Sequence, residues 1–97
     1  MITRIVKMEF EPCRIDDFLS VFEASKLKIR NFKGCHHLEL WQDNSSPNVI
    51  FTYSQWENEA SLDNYRNSEL FQNTWEKTKV LFNAKPQAWT VIKRWPS

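Results

Sequence analysis

Glycine is almost absent from this sequence: Gly34 is the only one in 97 residues. Phosphate-binding loops need several closely spaced glycines, because a residue with a side chain holds the backbone too far from the phosphate. The sequence therefore excludes both a dinucleotide-binding fingerprint and a P-loop.

The sequence also has few cysteines and almost no net charge. Cys13 and Cys35 are too few for a disulfide framework, and neither belongs to a redox motif. The 13 Lys and Arg residues against 12 Asp and Glu give a net charge of +1, which attracts neither nucleic acid nor an anionic membrane. No apolar run approaches the roughly 20 residues of a membrane span, and the N-terminal segment lacks a signal-peptide core. We expect a reduced, cytoplasmic protein with neither nucleic acid nor membrane among its partners.

No metal-ligand spacing is found in the sequence. His36 and His37 are adjacent, so in a strand their side chains point to opposite faces and cannot chelate one ion together. HExxH, CxxC and EF-hand patterns are missing. We therefore predict neither a metal site nor a bound cofactor.

Aromatic residues, in contrast, are abundant: 5 Trp, 2 Tyr and 7 Phe. In so short a chain they form either a bulky core or surfaces that are buried against another molecule. The helical spacing predicts that four phenylalanines are buried against a sheet, namely Phe18, Phe22, Phe71 and Phe82.

The hydrophobic pattern predicts one domain over residues 1–97, with the element order β-α-β-β-α-α-β. The predicted strands are 2–10, 35–42, 49–56 and 88–95. The predicted helices run from Ile15 to a stop at Gly34, from a cap at Asn58 through Tyr65, and from a cap at Ser68 through Phe82. This order is the ferredoxin-like split βαβ plan, an α+β fold with a four-stranded antiparallel sheet and helices on one face. The other face needs a cover, which predicts a homodimer.

The turn at 43–48 predicts the register of the central hairpin. If Asp43 and Asn48 flank the loop, paired residue numbers sum to about 91. One face then combines titratable, hydroxyl and indole groups and is suited to lining a pocket; it includes His37, Glu39, Trp41, Thr52 and Trp56. The alternative is an ordinary solvent-facing strand surface, on which His37 and Glu39 form a simple surface pair.

Two segments resemble the antibiotic biosynthesis monooxygenase-like domain: Thr52–Ala60, in which a strand-ending Trp precedes an acidic helix start, and Tyr65–Phe71, with its Ser-x-x-Phe helix opening. The resemblance extends over nearly the whole chain and includes the turn at Phe32–Cys35. It implies a dimeric α+β barrel with a ligand cavity inside each protomer, between sheet and helices. Members include cofactor-free monooxygenases acting on quinols and polyketide aromatics, haem-degrading enzymes, and proteins without known activity.

The resemblance can be followed residue by residue. Polyketide monooxygenases carry an Asn and then a Trp on the hairpin strand, at the places that hold Thr52 and Trp56 here, and a Tyr at the place of Leu62. Only Trp56 matches, although Thr52 keeps a hydroxyl. The haem-degrading branch uses a His and an Asn at the places of Trp75 and Val6, so the pattern disfavours haem degradation.

The resemblance implies a cofactor-independent monooxygenase acting on a small aromatic or quinol-type molecule. Because the deprotonated substrate itself reduces O₂, such an enzyme needs a dry pocket and a proton acceptor. His37 is the candidate base and Tyr65 the candidate hydrogen-bond donor. The candidate substrate-binding residues are Glu39, Trp41, Thr52, Trp56, Phe71 and Trp75. Two alternatives remain: a non-catalytic small-molecule-binding or stress-response dimer, and a cavity filled by the protein's own aromatic side chains.

Overall fold

The computed structural model describes residues 1–96 as one antiparallel sheet covered on one face by helices. The strands are β1 (Ile2–Glu9), β2 (Cys35–Gln42), β3 (Val49–Trp56) and β4 (Gln87–Val91). The helices are α1 (Ile15–Arg30), α2 (Glu59–Arg66) and α3 (Glu69–Lys79), and a short 3₁₀ turn at Pro12–Arg14 precedes α1. The predicted element order and the ferredoxin-like α+β fold are confirmed.

The sheet has the strand order β2-β3-β1-β4, with antiparallel pairing throughout. Successive side chains of a strand point to opposite faces of the sheet, so β1 has two distinct faces. Arg4, Val6 and Met8 lie on the face covered by helices, whereas Thr3, Ile5 and Lys7 lie on the open face. In residues 1–96, no helix combines the length and the apolar character that crossing a membrane requires.

The predicted register of the β2–β3 hairpin is wrong by one residue. Asp43 donates its backbone N–H to Val49, so the loop is one residue longer than expected. The Asp43 carboxylate stabilises it by accepting the backbone N–H groups of Ser45 and Ser46. An irregularity between Cys35 and His37 absorbs the offset at the other end of β2. Because side chains alternate between faces, this shift places His37, Glu39 and Trp41 on the face opposite Thr52 and Trp56.

Several element boundaries differ from the predictions for reasons visible in the backbone. Helix α1 ends at Arg30 because Asn31 and Phe32 already donate to the last helical carbonyls. Helix α3 ends at Lys79, since the following residues bond to the end of β1, where Phe10 bridges to Phe82. Strand β4 ends at Val91 because its partner β1 begins at Ile2, beside the pair of Thr3 with Val91.

The two predicted helix caps are confirmed. The Asn58 side chain accepts the backbone N–H of Ser61 at 2.9 Å, and the Ser68 hydroxyl accepts that of Phe71 at 3.1 Å. Each bond satisfies an N–H group that has no partner within its helix. These caps orient α2 and α3 as separate short helices over the sheet.

The core consists of two clusters beneath the helices. The larger is centred on Met8, Phe10, Phe18, Ile50 and Leu81, with Phe10 stacked on Phe18 at 4.4 Å. The smaller contains Cys35, Trp56 and Leu62. Of the four phenylalanines predicted to be buried, Phe18 is buried, whereas Phe22, Phe71 and Phe82 are only partly buried.

Gly34 lies in the turn between α1 and β2, four residues after the end of the helix. Its φ of +90° is unfavourable for any residue with a side chain. A Cβ atom there would also lie 2.5 Å from both Cβ and Oγ of Ser61 on α2. The sequence predicted the left-handed conformation, but the contact with α2 comes from the tertiary structure.

We predict that Gly34→Ala lowers the free energy of unfolding by about 2–4 kcal/mol, because backbone strain and overpacking act together. A double-mutant cycle with Ser61→Gly separates the two contributions, since the second substitution removes the clash and leaves the strain. Urea denaturation measures the free energy of unfolding of the parent, the two single variants and the double variant. A Gly34→Ala protein as stable as the parent would contradict this account of the turn.

Candidate active site

A cavity of about 370 Å³ lies between the helix-facing side of the sheet and the helices. This volume falls within the usual range of small-molecule sites, so the aromatic side chains around the cavity leave space between them. Its walls combine aromatic, aliphatic and hydroxyl groups with two arginines. The cavity lies where the resemblance implied one, between the sheet and the helices of one protomer.

Five predicted site residues line this cavity: Thr52, Trp56, Tyr65, Phe71 and Trp75. The rings of the four aromatic residues form one continuous wall. Trp56 stacks on Tyr65 at 4.9 Å, Tyr65 meets Phe71 edge-on at 5.3 Å, and Phe71 stacks on Trp75 at 5.8 Å. Offset stacking and edge-to-face contacts of this kind favour binding of a flat aromatic molecule.

Trp56 anchors the wall at the end of β3. Its side chain is 1% exposed, and its indole N–H donates to the Ser54 hydroxyl at 2.9 Å. Since both residues lie on the same face of β3, this bond fixes the indole against the sheet. Leu62 of α2 packs on the same cluster.

Tyr65 presents a phenol at the cavity wall. Burial raises the pKa of this phenol well above its ordinary value, and the neighbouring Cys35 thiol adds to the effect. Burial likewise raises the pKa of Cys35. Tyr65 is therefore protonated at neutral pH and is suited to donating a hydrogen bond, the role predicted from the sequence.

The remaining three predicted site residues, His37, Glu39 and Trp41, lie on the open face of the sheet and do not line the cavity. The expectation that His37 shares a cavity with Trp56 is wrong, because the register of β2 differs by one residue. His37 lies 2.5 Å from Glu39, and the Trp41 indole donates to Glu39 at 2.7 Å. Both bonds lower the pKa of the Glu39 carboxyl, and the bond from His37 has the larger effect. The group is the surface pair that the sequence left open as an alternative.

Arg4 and Arg66 line the cavity and were missed by the sequence analysis. Arg4 is half-buried on the central strand β1, and Arg66 is the last residue of α2. A signal was present for Arg4, because it interrupts the apolar alternation of Ile2, Val6 and Met8 on one face of the strand. Arg66 carried no comparable signal, since a basic residue at a helix C-terminus is ordinary.

Ordinary acid–base and metal-ligating groups are not found in the cavity walls. Within residues 1–96, the lining contains no His, Asp, Glu, Cys or Lys side chain. The described part of the chain also has no cluster of three or more His, Cys, Asp or Glu residues that could hold a metal ion.

The sequence model of the antibiotic biosynthesis monooxygenase family matches residues 1–77. The chain belongs to this family. A search of the curated proteins finds no match.

Several solved structures share this fold. A crystal structure of an antibiotic biosynthesis monooxygenase is 19% identical, with a TM-score of 0.90 over 96% of this chain and 98% of the other. A conserved protein from Methanosarcina mazei Go1 is 18% identical, with a TM-score of 0.90 over 97% and 94%. Rv0793 from Mycobacterium tuberculosis is 14% identical, with a TM-score of 0.87 over 95% and 93%. At these identities the likeness shows the fold alone.

We predict that stability decreases in alkali through Tyr65. Below pH ~10, the usual pKa of tyrosine, the phenol is neutral in both the folded and the unfolded chain, so its contribution to the free energy of unfolding is fully present. Above that pH the unfolded chain releases the proton while the folded chain retains it. The free energy of unfolding therefore decreases by up to about 1.4 kcal/mol per pH unit from this group.

Urea denaturation between pH 9 and 11 measures the effect. Tyr65→Phe is expected to remove this component of the decrease. Tyr53→Phe, on the open face, is the matched control and retains it because Tyr65 is still present. Identical pH profiles for the parent and Tyr65→Phe would show that the phenol is not buried as described.

Proposed function

We propose that this protein is a monooxygenase that oxidises a small aromatic or quinol-type molecule in the cavity without a bound cofactor. The observation that carries the proposal is the open cavity of about 370 Å³ with a continuous aromatic wall. Membership of the antibiotic biosynthesis monooxygenase family supports the reaction class. Function depends on the site more than on the fold, so the reaction is argued from the lining residues.

The proposed reaction balances without an external reductant. Conversion of an anthrone methylene to a carbonyl consumes one O₂ and releases one water, and the substrate supplies all four electrons. The first step is loss of a proton from the substrate, which leaves a carbanion or phenolate that transfers an electron to O₂. The cavity excludes water around the ring, and Tyr65 donates a hydrogen bond to a substrate oxygen.

Thr52 and Ser54 supply hydroxyl groups on the sheet side of the same cavity. In this proposal Phe71 and Trp75 hold the ring by stacking, Trp56 supports the wall from behind Tyr65, and Thr52 orients the oxygen substituents of the ring. His37, Glu39 and Trp41 have no part in it, because they lie on the other side of the sheet.

A second candidate function is binding without turnover. One observation favours it: among residues 1–96, no ordinary general base lines the cavity. An enzyme for a substrate that does not ionise readily would need such a base. Binding of an anthrone without oxygen consumption would identify this alternative.

We also propose that residues 1–97 form one domain that pairs with a second copy through the open face of the sheet. Aromatic and aliphatic side chains cross this face from β2 to β4: Trp41, Phe51, Tyr53, Ile5, Trp89 and Val91. Trp41 is 41% exposed and Trp89 44% exposed. Contiguous apolar surface of this kind is uncommon on monomers and typical of interfaces.

The test of the reaction is oxygen uptake with hydroquinones and anthrones, without added cofactor. We expect one O₂ consumed per substrate and no release of oxygen on adding catalase, because autoxidation would produce hydrogen peroxide and monooxygenation produces water. Tryptophan fluorescence quenching measures binding in the same samples. Binding without uptake would identify the second candidate, and the absence of both would remove both candidates.

A substitution that fills the cavity links turnover to this site. Thr74 of α3 lines the cavity, and Thr74→Phe is expected to lower kcat/KM by at least about tenfold, a loss of about 1.4 kcal/mol. Asn73→Phe is the control, since Asn73 is exposed on the same helix and does not line the cavity. Equal losses in both variants would contradict the assignment of the site.

Sedimentation tests the pairing. At micromolar concentration we expect about 23 kDa, twice the 11.7 kDa of one chain. Val91→Glu places a charge on the open face and is expected to raise the dissociation constant at least about a hundredfold. Val80→Glu is the matched control, because Val80 is 68% exposed at the end of α3, away from that face. A parent protein that sediments as a monomer would refute the pairing.

A further inference from the structure

Two positive charges line a cavity that is otherwise mostly apolar. Arg4 and Arg66 belong to its walls, and no carboxylate of residues 1–96 does. The rest of the lining is mainly aromatic and aliphatic, with a few hydroxyl groups. A concave apolar site with a few convergent polar groups takes its orientation and specificity from those groups.

Both arginines line the same cavity. Arg4 lies on β1, pairs with Ser54 of β3, and donates from Nη1 to the Thr90 hydroxyl of β4 at 2.8 Å. Burial lowers the pKa of Arg4, and the positive charge of Arg66 lowers it further. Both guanidinium groups therefore contribute positive charge to the same cavity.

Neither arginine has its charge neutralised by a neighbouring ion pair. The salt bridges formed within residues 1–96 involve neither Arg4 nor Arg66. Asp63 of α2 raises the pKa of Arg4, but this effect is smaller than those of burial and of Arg66. Asp63 is exposed and does not line the cavity. Arg66 is exposed and Arg4 is half-buried, so water solvates both charges in the free protein. A planar oxyanion in the cavity can accept charge-assisted hydrogen bonds from them, which are stronger than bonds to neutral groups.

We infer that the molecule taken up by this cavity is an aromatic anion, with its ring on the aromatic wall and its charged oxygen bound by Arg4 and Arg66. Guanidinium groups match planar oxyanions such as carboxylates, and their hydrogen bonds to charged oxygens are stronger than those to neutral ones. This inference rests on the proposed use of the cavity as a substrate site and names the substrate class.

The two positive charges also explain how the substrate could ionise without a general base in the cavity wall. A phenol or enol that enters the cavity is stabilised in its ionised form by two nearby cations, which lowers its pKa. The proton then leaves to solvent as the anion is bound, so no side chain in the wall has to accept it. The resulting anion is the form that transfers an electron to O₂ in the proposed reaction.

Calorimetric titration at low ionic strength tests the charge preference with a matched pair of probes, 1-naphthoate and the neutral 1-naphthamide. We expect naphthoate to bind at least about tenfold more tightly to the parent protein. Arg4→Gln and Arg66→Gln are each expected to weaken naphthoate binding about tenfold and to leave naphthamide binding within about twofold. The retained naphthamide affinity shows that each variant is folded.

Arg14→Gln is the control for loss of one positive charge. Arg14 is exposed, pairs with Asp17 at 2.7 Å and does not line the cavity. We expect it to retain the preference for naphthoate. Equal binding of the two probes by the parent, no binding of naphthoate, or an unchanged preference in both cavity variants would each overturn the inference.

A titration of 4-nitrophenol distinguishes an ionised hydroxyl from a carboxylate as the anionic group. Its phenol and phenolate absorb at different wavelengths, so the pKa of the bound probe can be read directly. A decrease of about one pKa unit on binding supports the hydroxyl, and an unchanged value together with a naphthoate preference assigns a carboxylate.

Oxygen uptake separates this inference from the proposed function. Uptake with anthrones but no charge preference would overturn the inference and leave the monooxygenase proposal standing. A preference for the anionic probe without oxygen uptake would overturn the monooxygenase proposal and leave this inference standing.

Discussion

The register of the β2–β3 hairpin determines which side chains can take part in the site. In a strand, neighbouring side chains point to opposite faces, so a shift of one residue exchanges the whole set. Here the longer loop closed by Asp43 and Val49, and the irregularity at the start of β2, place His37 on the open face. Thr52, Ser54 and Trp56 then line the cavity with the helices above them. The side chains that β2 contributes to the cavity and to the open face follow from this pairing.

The two faces of the sheet accordingly have different chemistry. The helix-facing side encloses a cavity with aromatic walls and two guanidinium groups. The open side carries the His37–Glu39–Trp41 group beside exposed tryptophan and valine side chains. Under these proposals, one face of the sheet binds a small molecule and the other binds a second copy of the chain. Because side chains alternate between the faces, a substitution in a strand is expected to affect only the role of the face on which it lies.

The half-buried Arg4 is the least expected feature of the cavity. It places a charge on the inner face of a central strand, and its guanidinium donates to the exposed, neutral hydroxyl of Thr90. Such local conflicts with otherwise consistent packing are common at functional sites. Tyr65, whose pKa is raised by burial, is a second group at this cavity that differs from its behaviour in water.

The sequence by itself determined the element order, the antiparallel sheet with one uncovered face, both helix caps and the positive φ of Gly34. These features depend on local periodicity and on the chemistry of single residues, so nearby residues suffice to predict them. Four of the proposed site residues line the cavity because β3 alternation and α3 spacing place Thr52, Trp56, Phe71 and Trp75 on the inner faces, and Tyr65 of α2 lines it with them.

Only the tertiary structure decided the register of β2, the end of α3, and the presence of Arg4 and Arg66 in the wall of one cavity. The end of α3 and the place of the two arginines depend on residues far apart in the chain, such as Glu11, which donates its backbone N–H to Leu81. The register of β2 depends on the bond between Asp43 and Val49 and on the irregularity at Cys35. A shift of one residue in a loop changes no local propensity, yet it moved His37 to the other side of the sheet.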